Sequence, residues 1–392
     1  MAMLDFIYYA PTKVFFGKNG AQKVGEILSS YGISRVLFMY GGGSIKTSGL
    51  YDVITRSLTE AKICFAEKGG VSPNPKVEFV REAITLAKAE AVELILAVGG
   101  GSVIDAAKYT AIGAKSDCDI WDYPSGRRTV TEALPVGCVL THAAAGSEMS
   151  ASAVLSNLDE DMKRGVRGDF NRPLFSILDP TLTYTVSPYQ TACGAVDMMT
   201  HTLERYCIDV PETPLTDALA ISLLRSVADA APIAIAEPEH YEARATLMWA
   251  SSLAHNDLTG AGRGNALAVH QLEHALSGAF DEVAHGAGLA VLYPAWMRFV
   301  APKAPARLAT LARALFDVKE ADDTRAALLG ADAMEAFFTS IGMPRRLAAF
   351  GVKKEDIPHL AALTTFDKKR VIPSLVPLDY EAVKQIFESC LA

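Results

Sequence analysis

The chain has 392 residues, long enough for two compact cores, and half of them are apolar against about a fifth charged, which excludes a disordered tail, a fibrous repeat or a small stapled scaffold. A net charge of −8 speaks against nucleic-acid partners, because tracking phosphates requires clustered Lys and Arg. Six cysteines are scattered without a CxxC pair, the opening MAMLDFIYYAPTKVFFGKNG has no leader pattern, and no apolar run of spanning length stands out, so the expectation is a cytoplasmic protein without thiolate zinc, disulfides or membrane insertion.

Taken in chain order, RVLFMY (35–40) reads as a strand, Asp52 to Ala61 as a helix, ICFAEKG (63–69) as a strand and Lys76 to Glu90 as a helix. ELILAV (93–98), a helix from about Ser102, LPVGCVLT (134–141) and FSILDP (175–180) continue the alternation. Short β-branched runs separated by helical segments predict a parallel, Rossmann-like sheet covered on both faces, with ligands at the strand ends. Beyond FSILDP the pattern becomes long helical segments, and Ser187 followed by Pro188 supplies an N-cap and a first-turn proline. The expected division is an α/β dinucleotide-binding domain over residues 1–185 and an all-α metal-binding domain over 186–392, with the catalytic cleft between them.

Gly99-Gly100-Gly101-Ser102 directly follows ELILAV and precedes a helix, so the glycines fall on a strand-to-helix turn where free amides meet the positive end of a helix, a good place for pyrophosphate. Ser102 can donate to a phosphate oxygen, and Asp105 either fixes the loop or meets the ribose. A second run, Gly41-Gly42-Gly43-Ser44, follows RVLFMY, where a dinucleotide enzyme often carries the acidic residue that grips the ribose hydroxyl. With Gly42, Gly43 and Ser44 there instead, and Lys46 close by, an additional phosphate has room, which predicts NADP(H) over NAD(H).

Asp197 and His201 stand four residues apart and project from one helix face. His270 and His274 repeat that spacing, and His285 follows beside glycines that suit a close turn. A lone histidine is usually a packed or exposed residue, but four of the chain's eight in this arrangement with an upstream carboxylate point to a divalent metal, iron or zinc. One imidazole is then left over. His274, one turn from a ligand, is assigned as the catalytic proton donor, with orientation of a ligand or of the nicotinamide as its alternative.

GGVSPNP, AVGGGSVIDAAK, AAGSE, AVDMMTHTLERY and HALSGAFDEVAHGAGLAVLYPAWM together occupy the order and spacing of a known family. The chain resembles the iron-containing (group III) metal-dependent alcohol dehydrogenases, most closely their butanol dehydrogenase-like branch, which has a dehydroquinate synthase-like architecture. The resemblance implies Asp197, His201, His270 and His285 as metal ligands and places Gly99 to Ser102 under the pyrophosphate. It also implies Asn74, Thr141 and Lys163 as cofactor-lining residues, and a homodimer. Ala143 and Ala145 depart from the proline and threonine more common in the family's cofactor loop, and His142 beside them is unusual.

The expected reaction is hydride exchange between a nicotinamide and a small alcohol or aldehyde polarised by the metal. Two alternatives are a dehydroquinate synthase-like lyase, which needs several cations around an anionic substrate, and a non-catalytic metal- and nucleotide-binding homologue. The helices bearing the candidate ligands are mostly neutral, with Arg205 and Arg263 the nearest cations in sequence, which favours an uncharged substrate.

Overall fold

A computed structural model of the chain describes residues 3–209, 213–264 and 266–392. They form two compact units, one running from Tyr9 to Val186 and the other from Ser187 to Ala392 with residues 3–8 added to it. Leu4 N donates to Gly262 O (3.1 Å), so residues 3–8 join the helical unit rather than the α/β domain in which the sequence places them.

The first unit is built on strands β1 (Lys13–Phe16), β2 (Arg35–Tyr40), β3 (Cys64–Lys68), β4 (Leu94–Gly99), β5 (Val136–Leu140) and β8 (Phe175–Leu178), and an antiparallel hairpin of β6 (Ser152–Asn157) and β7 (Met162–Arg167) stands apart. The six-stranded sheet is parallel throughout, in the order β1-β8-β5-β4-β2-β3. Helices α1 (Val24–Ser30), α2 (Ser44–Thr47), α3 (Leu50–Glu60), α4 (Val77–Ala89) and α5 (Gly101–Ala114) connect it.

Period-two alternation divides the strand side chains between two cores. Val36, Phe38, Leu94, Leu96 and Val98 pack with Leu28 of α1 and Ile54 and Leu58 of α3. Leu37, Met39, Ile95 and Ala97 are fully buried at the alternate positions, and α5 packs on β4. Burial on both faces is why β2 and β4 read as continuous apolar runs. β1, β6 and β7 lack such runs and escape the sequence pattern: each has half-exposed or exposed positions.

The chain passes from β2 outward to β3, then returns to the other side of β2 for β4. This reversal opens a crevice at the carboxyl ends of β2 and β4, the place where open α/β sheets receive ligands. Tyr40 pairs with Val98, so Gly41 and Gly99 leave adjacent strands at the same level.

The second unit contains α6 (Pro188–Tyr206), α7 (Pro214–Ala236), α8 (Tyr241–His255), α9 (Ala268–Ala279), α10 (His285–Val300), α11 (Pro305–Phe316), α12 (Asp323–Ser340), α13 (Ile357–Thr365) and α14 (Tyr380–Ser389). Ser187 caps α6, its Oγ accepting from Gln190 N at 3.2 Å, and Pro188 opens the first turn as expected. α6 is almost wholly buried and packs against α7, α8 and α10. One expectation needs correcting: α7, 23 residues long, is long and apolar enough to cross a membrane. Its hydrophobic residues are interrupted by Asp217, Arg225, Asp229 and Pro232, which hides the length of the apolar segment in the sequence, and α7 packs on α6, α8 and α11.

Candidate functional site

Helical spacing on α6 stacks Asp197 and His201 on one face, α9 supplies His270 from its first turn, and His285 is the first residue of α10. The Asp197 Oδ1 lies 3.3 Å from His201 Nε2, 3.5 Å from His270 Nε2 and 3.7 Å from His285 Nε2. Asp197 Oδ1 and His270 Nε2 are buried without a hydrogen-bond partner. An orphaned carboxylate oxygen facing three ring nitrogens is costly unless a cation satisfies them together. Metal–ligand bonds of about 2.0–2.2 Å in a tetrahedron put neighbouring donor atoms about 3.3–3.6 Å apart, close to the separations present. The donor set therefore fits a divalent iron or zinc ion.

Behind each imidazole stands a second group that sets its orientation. Glu204 is hydrogen-bonded to His270 Nδ1, Glu273 to His285 Nδ1, and His255 Nδ1 lies 2.8 Å from His201 Nδ1. A proton held on Nδ1 by such a partner leaves Nε2 bare to bind metal. Burial pulls the His270 pKa down, but Glu204 and Asp197 outweigh it and raise it to about 9. Burial and the neighbouring rings of His255 and His270 push His201 far below its ordinary value. Glu204, Glu273 and His255 were not singled out in the sequence. The signal available for the glutamates was a carboxylate three residues beyond a ligand on an otherwise apolar helix, Glu204 after His201 and Glu273 after His270.

His285 depends on two glycines. The sequence assigns the glycines beside it to a close turn, but Gly286 and Gly288 lie inside α10. A Cβ on Gly286 would stand 2.1 Å from Cys193 O on α6, and one on Gly288 would stand 2.9 Å from Glu273 Cγ. Their function is close approach: the first lets α10 touch the backbone of α6, the second leaves room for the glutamate that holds His285. The His274 ring centroid is 5.7 Å from that of His285 and 6.4 Å from that of His270, so His274 adjoins the cluster, half-buried.

In the α/β unit, Gly99, Gly100 and Gly101 form the turn from β4 into α5. A Cβ on Gly99 would lie 2.5 Å from Val103 Cγ2, on Gly100 3.2 Å from His142 Cβ, and on Gly101 3.3 Å from Ala145 Cβ. A side chain at Gly99 would collide with Val103, and one at Gly100 or Gly101 would crowd its neighbour; α5 has neither a side-chain cap nor an acidic residue in its first turn. The loop thus fits a phosphate on its amides, Ser102 included. Thr141 N donates to Gly99 O (3.1 Å), joining the end of β5 to the turn. Ser156 on β6 pairs with Lys163 on β7 and donates from N to Pro75 O, so the hairpin links Lys163 to the loop of Asn74, whose φ is 49°.

Of the two roles open to Asp105, the geometry supports loop fixing: its carboxylate accepts from Ser147 Oγ (2.6 Å) and Val154 N (2.9 Å). Lys108, one turn on, donates to Ser147 O and Ser152 O, and burial lowers its pKa to about 8 despite Asp105. Gly42, Gly43 and Ser44 are exposed after β2, with open space over both glycines. Lys46 Nζ lies over the rings of Tyr40 and Tyr51.

Comparison with known proteins covers both units. Residues 11–180 match the family described as iron-containing alcohol dehydrogenase, and residues 191–391 match the C-terminal part of the same Fe-containing family. A probable NADH-dependent butanol dehydrogenase 1 of Bacillus subtilis is 43% identical, covering 92% of this chain and 93% of its own. The NADPH-dependent aldehyde reductase YqhD of Escherichia coli is 35% identical, covering 91% of this chain and 92% of its own. Among solved structures, an NADH-dependent butanol dehydrogenase A from Thermotoga maritima superposes with a TM-score of 0.96 at 37% identity, covering 100% of this chain and 99% of the other. Since these matches span both the glycine turn and the Asp-His cluster at identities well beyond fold likeness alone, the chain belongs to the iron-containing alcohol dehydrogenase family.

Proposed function

We propose that this chain is a metal-dependent, nicotinamide-linked alcohol dehydrogenase or aldehyde reductase acting on a small, uncharged alcohol or aldehyde. The observation that carries the reading is the orphaned Asp197 Oδ1 facing three histidine nitrogens. Asp197, His201, His270 and His285 hold the divalent ion, iron or zinc, which when bound supplies a Lewis acid, while the nicotinamide supplies or accepts hydride. The chain's own part is to hold these ligands rigidly through Glu204, Glu273 and His255, and to receive the pyrophosphate on the Gly99–Ser102 amides. His274, beside His270 and His285, passes the proton to the oxygen of the alcohol product.

Two engaged arginines weigh against the lyase alternative. Arg205 donates to His201 O and Ala254 O, and Arg263 donates to Thr213 Oγ1 and Arg205 O and pairs with Asp217. Both brace the backbone instead of offering a cationic pocket.

Within this reading the preferred cofactor is NADP(H). Its support is the exposed Gly42-Gly43-Ser44 turn with Lys46 nearby, where Glu67 on β3 is already engaged by the hydroxyls of Tyr40 and Tyr51. The E. coli reductase agrees by name, while the two butanol dehydrogenases are named for NADH. A homodimer and a cytoplasmic setting complete the proposal, the second supported by six free thiols. The test is absorbance at the reduced-nicotinamide band, using metal-reconstituted and metal-stripped protein, NADPH or NADH, and a panel of aldehydes. Metal-dependent consumption with NADPH favoured supports the activity and the cofactor preference. NADH favoured overturns the cofactor preference alone, and no consumption of either overturns the activity.

A further inference from the structure

The three imidazoles facing Asp197 are not held alike: His270 and His285 are backed by glutamates, His201 by a fourth imidazole. His255, the last residue of α8, is 5% exposed, and its Nδ1 lies 2.8 Å from His201 Nδ1. Two ring nitrogens at that distance share one proton, so one donates and the other accepts. Arg205 Nη2 also approaches, 3.5 Å from the same His255 Nδ1. A guanidinium only donates, which makes His255 Nδ1 the acceptor. The metal side demands the same arrangement, because His201 binds through a bare Nε2 only if its proton sits on Nδ1.

We propose that His255 is a positioning residue of the metal centre: its Nδ1, presented by Arg205, accepts the Nδ1 proton of His201 and so keeps His201 Nε2 bare and aimed at the ion. Arg205 also ties the parts together, since its Nη1 donates to His201 O on α6 (2.8 Å) and to Ala254 O on α8 (3.2 Å). One side chain thereby sets the spacing of the two helices and the tautomer of the ring between them. The choice of an imidazole has an electrostatic reason. Asp197, Glu204 and Glu273 already place three carboxylates in and behind this buried centre, and a fourth at position 255 would add charge beyond what one dication and Arg205 offset. An uncharged acceptor orients His201 without that cost.

The proposal rests on the metal-centre reading, and the experiment separates the two. The full chain and its His255→Leu and His255→Asn variants are stripped of metal, and Zn2+ affinity is measured by competition with a chromophoric chelator, beside thermal unfolding of the metal-free forms. Leu removes the acceptor, while Asn places a carbonyl oxygen where His255 Nδ1 stands. The expected result is Zn2+ affinity about 10–100-fold weaker in H255L, with most of the loss restored in H255N. A wild-type chain that binds no Zn2+ overturns the metal-centre reading itself. A wild type that binds while H255L binds equally well, or H255N as weak as H255L, overturns the role of His255 alone. If H255L fails to fold, nitrogen-15 NMR of the zinc-loaded wild type decides: a proton on His255 Nε2 supports the proposal, and a proton on its Nδ1 overturns it.

Discussion

Gly286 on α10 lies so close to Cys193 on α6 that a Cβ on the glycine would stand 2.1 Å from the cysteine's carbonyl oxygen. His285 is the neighbour of that contact and Asp197 lies one turn beyond Cys193, so the helix spacing is also the spacing of two ligands. Gly286→Ala must push the helices apart. The expected cost is about 1–3 kcal/mol of stability and at least about tenfold in Zn2+ affinity, measured by thermal unfolding and chelator competition. Unchanged metal affinity would show that His285 is not held by this contact.

His274 adjoins the ligand cluster without belonging to the set that faces Asp197. His274→Phe is expected to lower kcat by about 100-fold while metal content stays at the wild-type level. Metal analysis beside steady-state kinetics checks both halves, and loss of metal would place His274 among the groups that hold it.

Glu335 on α12 offers a pH-dependent prediction remote from the metal. Burial alone would raise its pKa, but Arg345, Arg346 and Arg298 together bring it down to about 2. Because the folded value lies below the unfolded one, the stabilisation is fully present above about pH 4.5 and is lost as pH falls toward about 2. Glu335→Gln should therefore unfold at lower temperature than wild type at pH 7, by an amount worth about 1–3 kcal/mol. The gap should narrow as the pH is taken below 4.5, and a gap independent of pH refutes the assignment.

Ala91 follows α4 with φ 46°, in a left-handed conformation that a methyl group disfavours. Val92 N and Ala91 N bond back to Ala87 O and Lys88 O, closing the helix in the way glycine normally permits. Ala91→Gly should stabilise the protein by about 0.5–1 kcal/mol, the relief of strain exceeding the gain in unfolded-chain entropy. Denaturant unfolding measures the difference, and destabilisation contradicts the strain.

These same features mark the limit of legibility in the sequence. Asp197 and His201 could be paired by helical spacing, and the turn at Gly99 by its place between an apolar run and a helix, because both relations are local. His255 could not be joined to His201, since their contact depends on how α6 and α8 pack and spans 54 residues. Gly286 was visible, but its service to interhelix contact was not. Ala91 and Lys62 end helices at positive φ without a glycine to announce them. β1 was missed because its four residues have no fully buried position and their partner strand lies far along the chain.

That last pairing bears on how the protein is made. In the sheet β1 has one neighbour, β8, and β8 also completes the far side of β5. A nascent chain emerging from the ribosome can assemble β2 to β5 as they appear, but Lys13–Phe16 waits unpaired until Phe175–Leu178 has cleared the exit tunnel. Synthesis at about 5–20 residues per second makes that a wait of roughly ten to thirty seconds, during which Phe15 and Phe16 are exposed to whatever binds extended apolar segments. β1, which precedes the other strands of the sheet in the chain, is thus among the last to be secured, held by a partner made about 160 residues later.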